Sequence, residues 1–238
     1  MVEDARDGEL SKKEHIQQLN ITFYDEMDGV EDWQWVGVID ALEPHPNLRI
    51  LRVYSYAGSK LPGWIESPLN QVKFIYLDGF GYLSTLPPLG KLPCLEEIEI
   101  REMSELQFVG QEFLGITTPR IGDKTNTTIG FPKLKKLTFR DCPNLKEWED
   151  ISAEEEESSN VSLMPCLTEL IVNRCRSLKA LPHRLLRKAA SSSLMMLDMS
   201  YSTQLQQRYN GETQSSEWKF IFDVSPRLKL IQWYHACI

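Results

Sequence analysis

Residues 82–100 read YLSTLPPLGKLPCLEEIEI: leucines with prolines wedged between them, then an acidic alternation. Pro87, Pro88 and Pro93 exclude a helix through the first part, because each removes a backbone donor and clashes with the preceding turn. The end of the stretch is different. Leu95, Ile98 and Ile100 stand at the spacing LxxLxL, with the last two on one face of an extended chain. A rigid connector therefore feeds a short strand.

The same hexad occurs eight times, at Ile16 (IQQLNI), Leu48 (LRILRV), Val72 (VKFIYL), Leu95 (LEEIEI), Leu134 (LKKLTF), Leu167 (LTELIV), Leu194 (LMMLDM) and Leu228 (LKLIQW), at intervals of 23 to 39 residues. Prolines introduce several copies, as in HPNL, LPCL, FPKL, MPCL and SPRL, where a fixed φ sets an extended entry. The segment after the strand also recurs. FRDCPNLKEW and VNRCRSLKAL place Cys142 and Cys175 equivalently, with Leu145 and Leu178 three residues on. Strand, turn with a small buried residue, and returning segment with its own leucines make up the leucine-rich-repeat layout. One unit cannot bury its own apolar stripe, whereas stacked units share a continuous core beside a parallel sheet.

The fold class predicted is an α/β solenoid, an irregular leucine-rich-repeat horseshoe with a parallel β-sheet on its concave face and mostly extended or short helical returns. Helical returns are predicted in WVGVIDALEPHPNL, where Val36, Ile39 and Leu42 keep helical spacing, and in LPHRLLRKAASSSL. Residues 1–14 form a charged lead and 15–238 one repeat domain of about eight units. Two insertions interrupt it. Residues 115–130 are polar and turn-rich, and 146–160 hold seven acidic residues; both read as protruding loops. A short charged lead leaves the first repeat uncovered, so residues 1–30 are expected to exchange amide protons faster than 48–180.

At 42% hydrophobic residues, 238 residues build a real core, while a net charge of −8 argues against nucleic-acid binding. No apolar run is long enough for a membrane span, and the first residues lack a secretory apolar core. Five cysteines without CxxC fit reduced thiols. Soluble, intracellular placement is expected, in the cytoplasm, with the nucleus as an alternative.

Catalytic patterns are scarce. The sequence has no phosphate loop; His15, His45, His183 and His235 fall in different units; and no nucleophile–base pair emerges. A non-enzyme without metal or cofactor is the expectation. Cys142 and Cys175 read as buried structural thiols rather than a reactive pair, and Glu154–Glu157 as a solvated charge run.

The open face of the sheet stands above this background. With the leucine-type positions inward, the third, fifth and seventh positions of each unit face the concavity. The stripe runs through Gln18, Asn20 and Thr22; Ile50, Arg52 and Tyr54; Phe74, Tyr76 and Asp78; then Glu97, Glu99 and Arg101. It continues through Lys136, Thr138 and Arg140; Glu169, Ile171 and Asn173; Met196, Asp198 and Ser200; and it ends, by the same count, at Leu230, Gln232 and Tyr234. Exposed aromatics beside arginine are favoured at interface anchors. A protein-binding patch is therefore predicted at Arg52, Tyr54, Phe74, Tyr76, Glu99 and Arg101, extending to Glu97, Lys136 and Arg140. The other reading is that the aromatics simply pack on one another as cross-strand neighbours.

ALEPHPNLRILRVYSYAGSKLPGWI, LSTLPPLGKLPCLEEIEIREMSELQFVGQEFLG and FPKLKKLTFRDCPNLKEW, in that order, resemble the leucine-rich-repeat region of plant NB-ARC disease-resistance receptors of the coiled-coil class. LQQRYNGETQSSEWKFIFDVSPRLKL resembles their closing repeat, with Arg208 and Trp218 in its Arg and Trp places. The resemblance implies an intracellular sensor module that binds a pathogen effector or an effector-modified host protein, and that contacts an NB-ARC module in a full-length receptor. The family's ADP/ATP site belongs to a module whose motifs this sequence lacks, so no cofactor is expected in this chain. A leucine-rich-repeat scaffold or substrate adaptor, for instance of a ubiquitin ligase, is the alternative.

Overall fold

The computed structural model describes residues 2–24, 31–66, 69–116, 128–190, 194–209 and 229–231. The strands are β1 (Gln18–Thr22), β2 (Ile50–Tyr54), β3 (Phe74–Asp78), β4 (Glu97–Arg101), β5 (Phe108–Val109), β6 (Thr128–Gly130), β7 (Lys136–Arg140), β8 (Glu147–Trp148), β9 (Val161–Leu163), β10 (Glu169–Asn173), β11 (Met196–Asp198) and β12 (Lys229–Ile231). The helices are α1 (Val2–Asp7), α2 (Asp32–Ala41), α3 (Ala153–Glu157), α4 (His183–Ala190) and α5 (Thr203–Arg208). Eight strands form one sheet in the order β1-β2-β3-β4-β7-β10-β11-β12, every neighbour pair parallel. Parallel neighbours need a crossover each time, and the returns supply it.

The hexad explains the core. Its fourth and sixth positions turn inward in most units; Ile98 and Ile100 in β4 and Leu137 and Phe139 in β7, for example, have no solvent exposure. Each such side chain contributes ~1.5–3 kcal/mol on leaving water. The hexad's second residue plays a backbone part. Its carbonyl in one unit receives two N–H groups from the next, as when Arg49 accepts from Lys73 and Phe74 and Lys73 accepts from Glu96 and Glu97. These bonds fix register before each strand begins.

The prolines do more than extend the chain. Leu48 N–H bonds the His45 carbonyl across Pro46, Leu134 bonds Phe131 across Pro132, and Leu167 bonds Met164 across Pro165. Each proline thus occupies the second place of a closed four-residue turn, for which its fixed φ is equally suited. Beyond the strands the chain turns away through a left-handed residue at the same place in six units: Ser55, Gly79, Glu102, Asp141, Arg174 and Tyr201. The next residue dives inward. Tyr56, Phe80, Met103, Cys142, Cys175 and Ser202 are all fully buried. Phe23, Tyr56 and Phe80 stack with centroids 5.2 and 5.3 Å apart. The later units use small groups there, with Ser202 Oγ accepting from Cys175 N–H at 3.0 Å and donating to the Val172 carbonyl at 2.6 Å. Cys142 and Cys175 are free and buried, as the repeat alignment implies.

The returns pack closely. Phe131 N–H bonds the Gly90 carbonyl at 2.8 Å, and a Cβ on Gly90 would sit 2.0 Å from the Leu114 carbonyl oxygen, so only glycine fits. Helical returns occur where predicted, as α2 and α4.

Several expectations change. The acidic stretch 146–160 is not simply a loop: Glu147–Trp148 pairs with β5, and α3 opens on a capping box in which Ser152 Oγ accepts from Glu155 N–H while the Glu155 carboxylate accepts from Ser152 N–H. Nor is Glu154–Glu157 an unattached run, since Glu156 meets Arg187 at 3.0 Å and Arg184 at 3.7 Å on α4, and Lys188 donates to the Glu156 and Ser158 carbonyls. For the 115–130 stretch, 117–127 lies outside the described residues, and its end forms β6 against β9. The charged lead is helical over Val2–Asp7 and lies against α2, with Glu3 and Asp4 at its positive end and Arg6 at its negative end.

The last repeat is displaced by one residue. Lys229 stands in register with Met196 and Ile231 with Asp198, so the concave positions are Lys229 and Ile231, and Leu230 matches Leu197. Counting LxxLxL from Leu228 selects the wrong parity, and a one-residue slip exchanges the faces of a strand. Gln232 and Tyr234 lie outside the described residues.

Candidate functional site

Because the strands are parallel and in register, their outward side chains line up in three rows across the sheet. The first row runs Gln18, Ile50, Phe74, Glu97, Lys136, Glu169 and Met196. The second runs Asn20, Arg52, Tyr76, Glu99, Thr138, Ile171 and Asp198, and the third Thr22, Tyr54, Asp78, Arg101, Arg140 and Asn173. All nine predicted site residues are half-buried on this face. Thr138, at 2% exposed, and Ile171, at 8%, are more enclosed still.

One part of the stripe is a connected cluster. The Arg52 guanidinium lies over the Phe74 ring at 5.0 Å. Tyr54 and Tyr76 rings are 5.3 Å apart, and Phe74 and Tyr76 rings 6.4 Å. Arg101 Nη1 donates to the Tyr76 hydroxyl at 2.9 Å, and that hydroxyl donates to Asp78 Oδ2 at 2.7 Å. Burial first, then the bond to Asp78, pushes the Tyr76 hydroxyl up to about 12, so the phenol stays protonated. The aromatics therefore do pack as cross-strand neighbours, and an arginine is fastened at each side of them. Rigid aromatics of this kind present area at low entropic cost.

The other predicted residues lie on β4 and β7 beside that cluster, with Glu97 and Glu99 opposite Phe74 and Tyr76. Lys136 meets Glu97 at 2.9 Å, a bond that raises the lysine's proton affinity. Glu99 and Arg140 form no hydrogen bond or ion pair through their side chains among the described residues. Asp78 and Thr138 complete the constellation. They lie on the stripe but fall outside the predicted patch, although Asp78 is charged; only the fold shows Asp78 accepting from Tyr76 and Thr138 enclosed.

Among the described residues no group of three or more His, Cys, Asp or Glu side chains could hold a metal ion. No described helix is long and apolar enough to cross a membrane.

Residues 1–103 match the family model described as R13L1/DRL21 LRRs. The chain is 31% identical over 174 residues to disease resistance protein RGA2 of Solanum bulbocastanum, an alignment covering 72% of this chain and 17% of that protein. The chain folds as a leucine-rich-repeat solenoid and is similar to plant disease-resistance proteins. This leucine-rich-repeat chain is also 28% identical over 185 residues to a putative disease resistance RPP13-like protein 1 of Arabidopsis thaliana, covering 74% of the chain and 17% of that relative. It spans 17% of the length of each of these two relatives. Among solved structures it aligns with the leucine-rich repeat domain of the type III effector XopL at a TM-score of 0.43 and 15% identity, over 86% of this chain and 73% of that one.

Proposed function

We propose that this chain is a non-enzymatic protein-recognition module of plant defence, binding a pathogen effector or an effector-modified host protein on the concave face of its sheet. The observation that carries this reading is the Arg52–Phe74–Tyr54–Tyr76–Arg101 cluster, an aromatic patch with guanidinium groups at both margins on the outward face of the sheet. Similarity to disease-resistance proteins supports the setting in defence. Binding arises from contacts with aromatic faces and charged ends and requires no covalent step. In a longer receptor, a nucleotide-binding module would be a second partner, and the cytoplasm or nucleus the place of action.

The test is comparative. A partner captured from infected tissue by the wild-type chain is purified, and its affinity is measured for wild type and for a Tyr54→Ala/Tyr76→Ala double variant of unchanged thermal stability. Loss of at least about ten-fold, the size expected for a pair of aromatic anchors, supports the reading. Equal affinity places recognition on another surface.

A further inference from the structure

We infer that the open edge of β1 joins two copies of this chain, related by a two-fold axis at Asn20. β1 is the outermost strand of the sheet, and among the described residues it pairs with β2 alone. The Gln17 carbonyl accepts from Arg49 and Ile50, and the Phe23 N–H donates to Tyr54. Backbone groups alternate sides along a strand, so the odd residues of β1 bond β2, and the N–H and carbonyl of Gln18, Asn20 and Thr22 point away from it. These groups are the open edge.

The end of the stack is also incompletely closed. Ile16 and Leu19 are half-buried, whereas Leu48 and Leu51, at the same places in the next unit, have no exposure. The same terminal unit carries Tyr24, 74% exposed, and Trp33, 67% exposed. Exposed apolar surface beside an unpaired strand edge marks an interaction site. Edges that stay unpaired are ordinarily guarded by charge, proline or a bulge. Gln18–Thr22 has none of these.

A second copy fits because the strand is complementary to itself when reversed. Antiparallel pairing about Asn20 sets Gln18 opposite Thr22 of the second copy, Asn20 opposite its own counterpart, and Leu19 opposite Ile21. Gln18 with Thr22, and Asn20 with Asn20, become the bonded pairs, in which each residue gives its N–H and takes the other's. Every outward donor of β1 then meets an outward acceptor. Leu19 and Ile21 form the closer, non-bonded pairs on the core side. No like charges face each other across the strands, which matters in a chain of net charge −8. A two-fold contact uses one patch twice and closes at two copies. Because concave residues pair with concave residues, both concave faces lie on one side. One five-residue edge covers less than the ~800 Å² per partner of a standard interface, so association belongs at micromolar concentrations and above.

Sedimentation of the full chain from roughly 1 to 200 µM tests the contact, and wild type should pass from monomer to dimer. Asn20→Lys and Asn20→Glu each set like charges face to face on the axis and should weaken association at least about five-fold. Mixed, the two variants should pair with each other more tightly than either pairs with itself. Amide exchange gives a residue-level reading: Asn20 and Thr22 should gain protection with concentration, and Leu19 and Ile21, already bonded to β2, should change less. A chain that stays monomeric throughout, a dimer that resists both variants, or a mixture no tighter than either variant alone overturns the contact. Growth beyond two copies overturns the two-fold in favour of head-to-tail stacking.

Discussion

Arg101 Nη1 lies 2.9 Å from the Tyr76 hydroxyl, one strand away, and the same hydroxyl donates to Asp78 Oδ2 at 2.7 Å. One phenol thus links an arginine on β4 to a carboxylate on β3. Tyr76→Phe removes both bonds while keeping the ring against Tyr54 and Phe74. Urea unfolding should show a loss of about 0.5–1.5 kcal/mol. The pH dependence has a definite sign. The folded hydroxyl is raised from 10.0 to about 12, so its contribution is complete below pH 10 and is lost as pH rises through 12. Tyr56 is raised as well, chiefly by burial. Tyr76→Phe should therefore make alkaline unfolding less steep without abolishing it.

The left-handed column after the strands predicts opposite outcomes for two substitutions at equivalent places. Gly79 has φ +73°, and a Cβ there would meet Ser55 Cα and N at 3.3 Å. Gly79→Ala should cost about 1–2 kcal/mol. Glu102 adopts φ 50° with a side chain already present, and its carboxylate is exposed. Glu102→Gly relieves that strain against a higher unfolded-state entropy and should raise stability by up to about 1 kcal/mol. Chemical denaturation of the two variants checks both signs.

Asp150 caps α4 from 34 residues away in sequence: Oδ2 accepts from Arg184 N–H and Oδ1 from Leu185 N–H, each at 2.9 Å. Asp150→Ala should cost about 1 kcal/mol. Amide exchange should accelerate in α4 and in α3, which its ion pairs hold against α4, and should stay unchanged in β3 and β4. A uniform acceleration would show that the cap supports the whole solenoid instead.

The four described thiols should divide into two classes. Cys166 is exposed and Cys94 half-buried, whereas Cys142 and Cys175 are enclosed. Contact with the Cys142 thiol, then burial, raises the proton affinity of Cys175, which keeps it from forming the nucleophilic thiolate. Under native conditions, iodoacetamide should label Cys166 fastest and Cys94 next, leaving Cys142 and Cys175 until urea unfolds the chain. Mass spectrometry of digested protein reads the order.

Short-range pattern settles most of the fold. LxxLxL sets which side of each strand turns inward because strand side chains alternate, and its recurrence implies stacking because no unit closes its own core. The stripe bearing Arg52, Tyr54, Phe74, Tyr76, Glu97, Glu99, Arg101, Lys136 and Arg140 comes from the same alternation. Where the pattern itself is ambiguous, as in RLKLIQW, parity cannot be read locally; pairing with β11 decides it. Contacts across units belong to the tertiary structure alone. The grip of α4 on Glu156, the remote cap from Asp150, and the pairing of returns as β5–β8 and β6–β9 join residues roughly thirty to forty positions apart, a distance over which spacing carries no signal. So does the juxtaposition of Arg101 with Arg140. Thirty-nine residues separate them in the chain, and only parallel registration of two strands brings their like charges side by side.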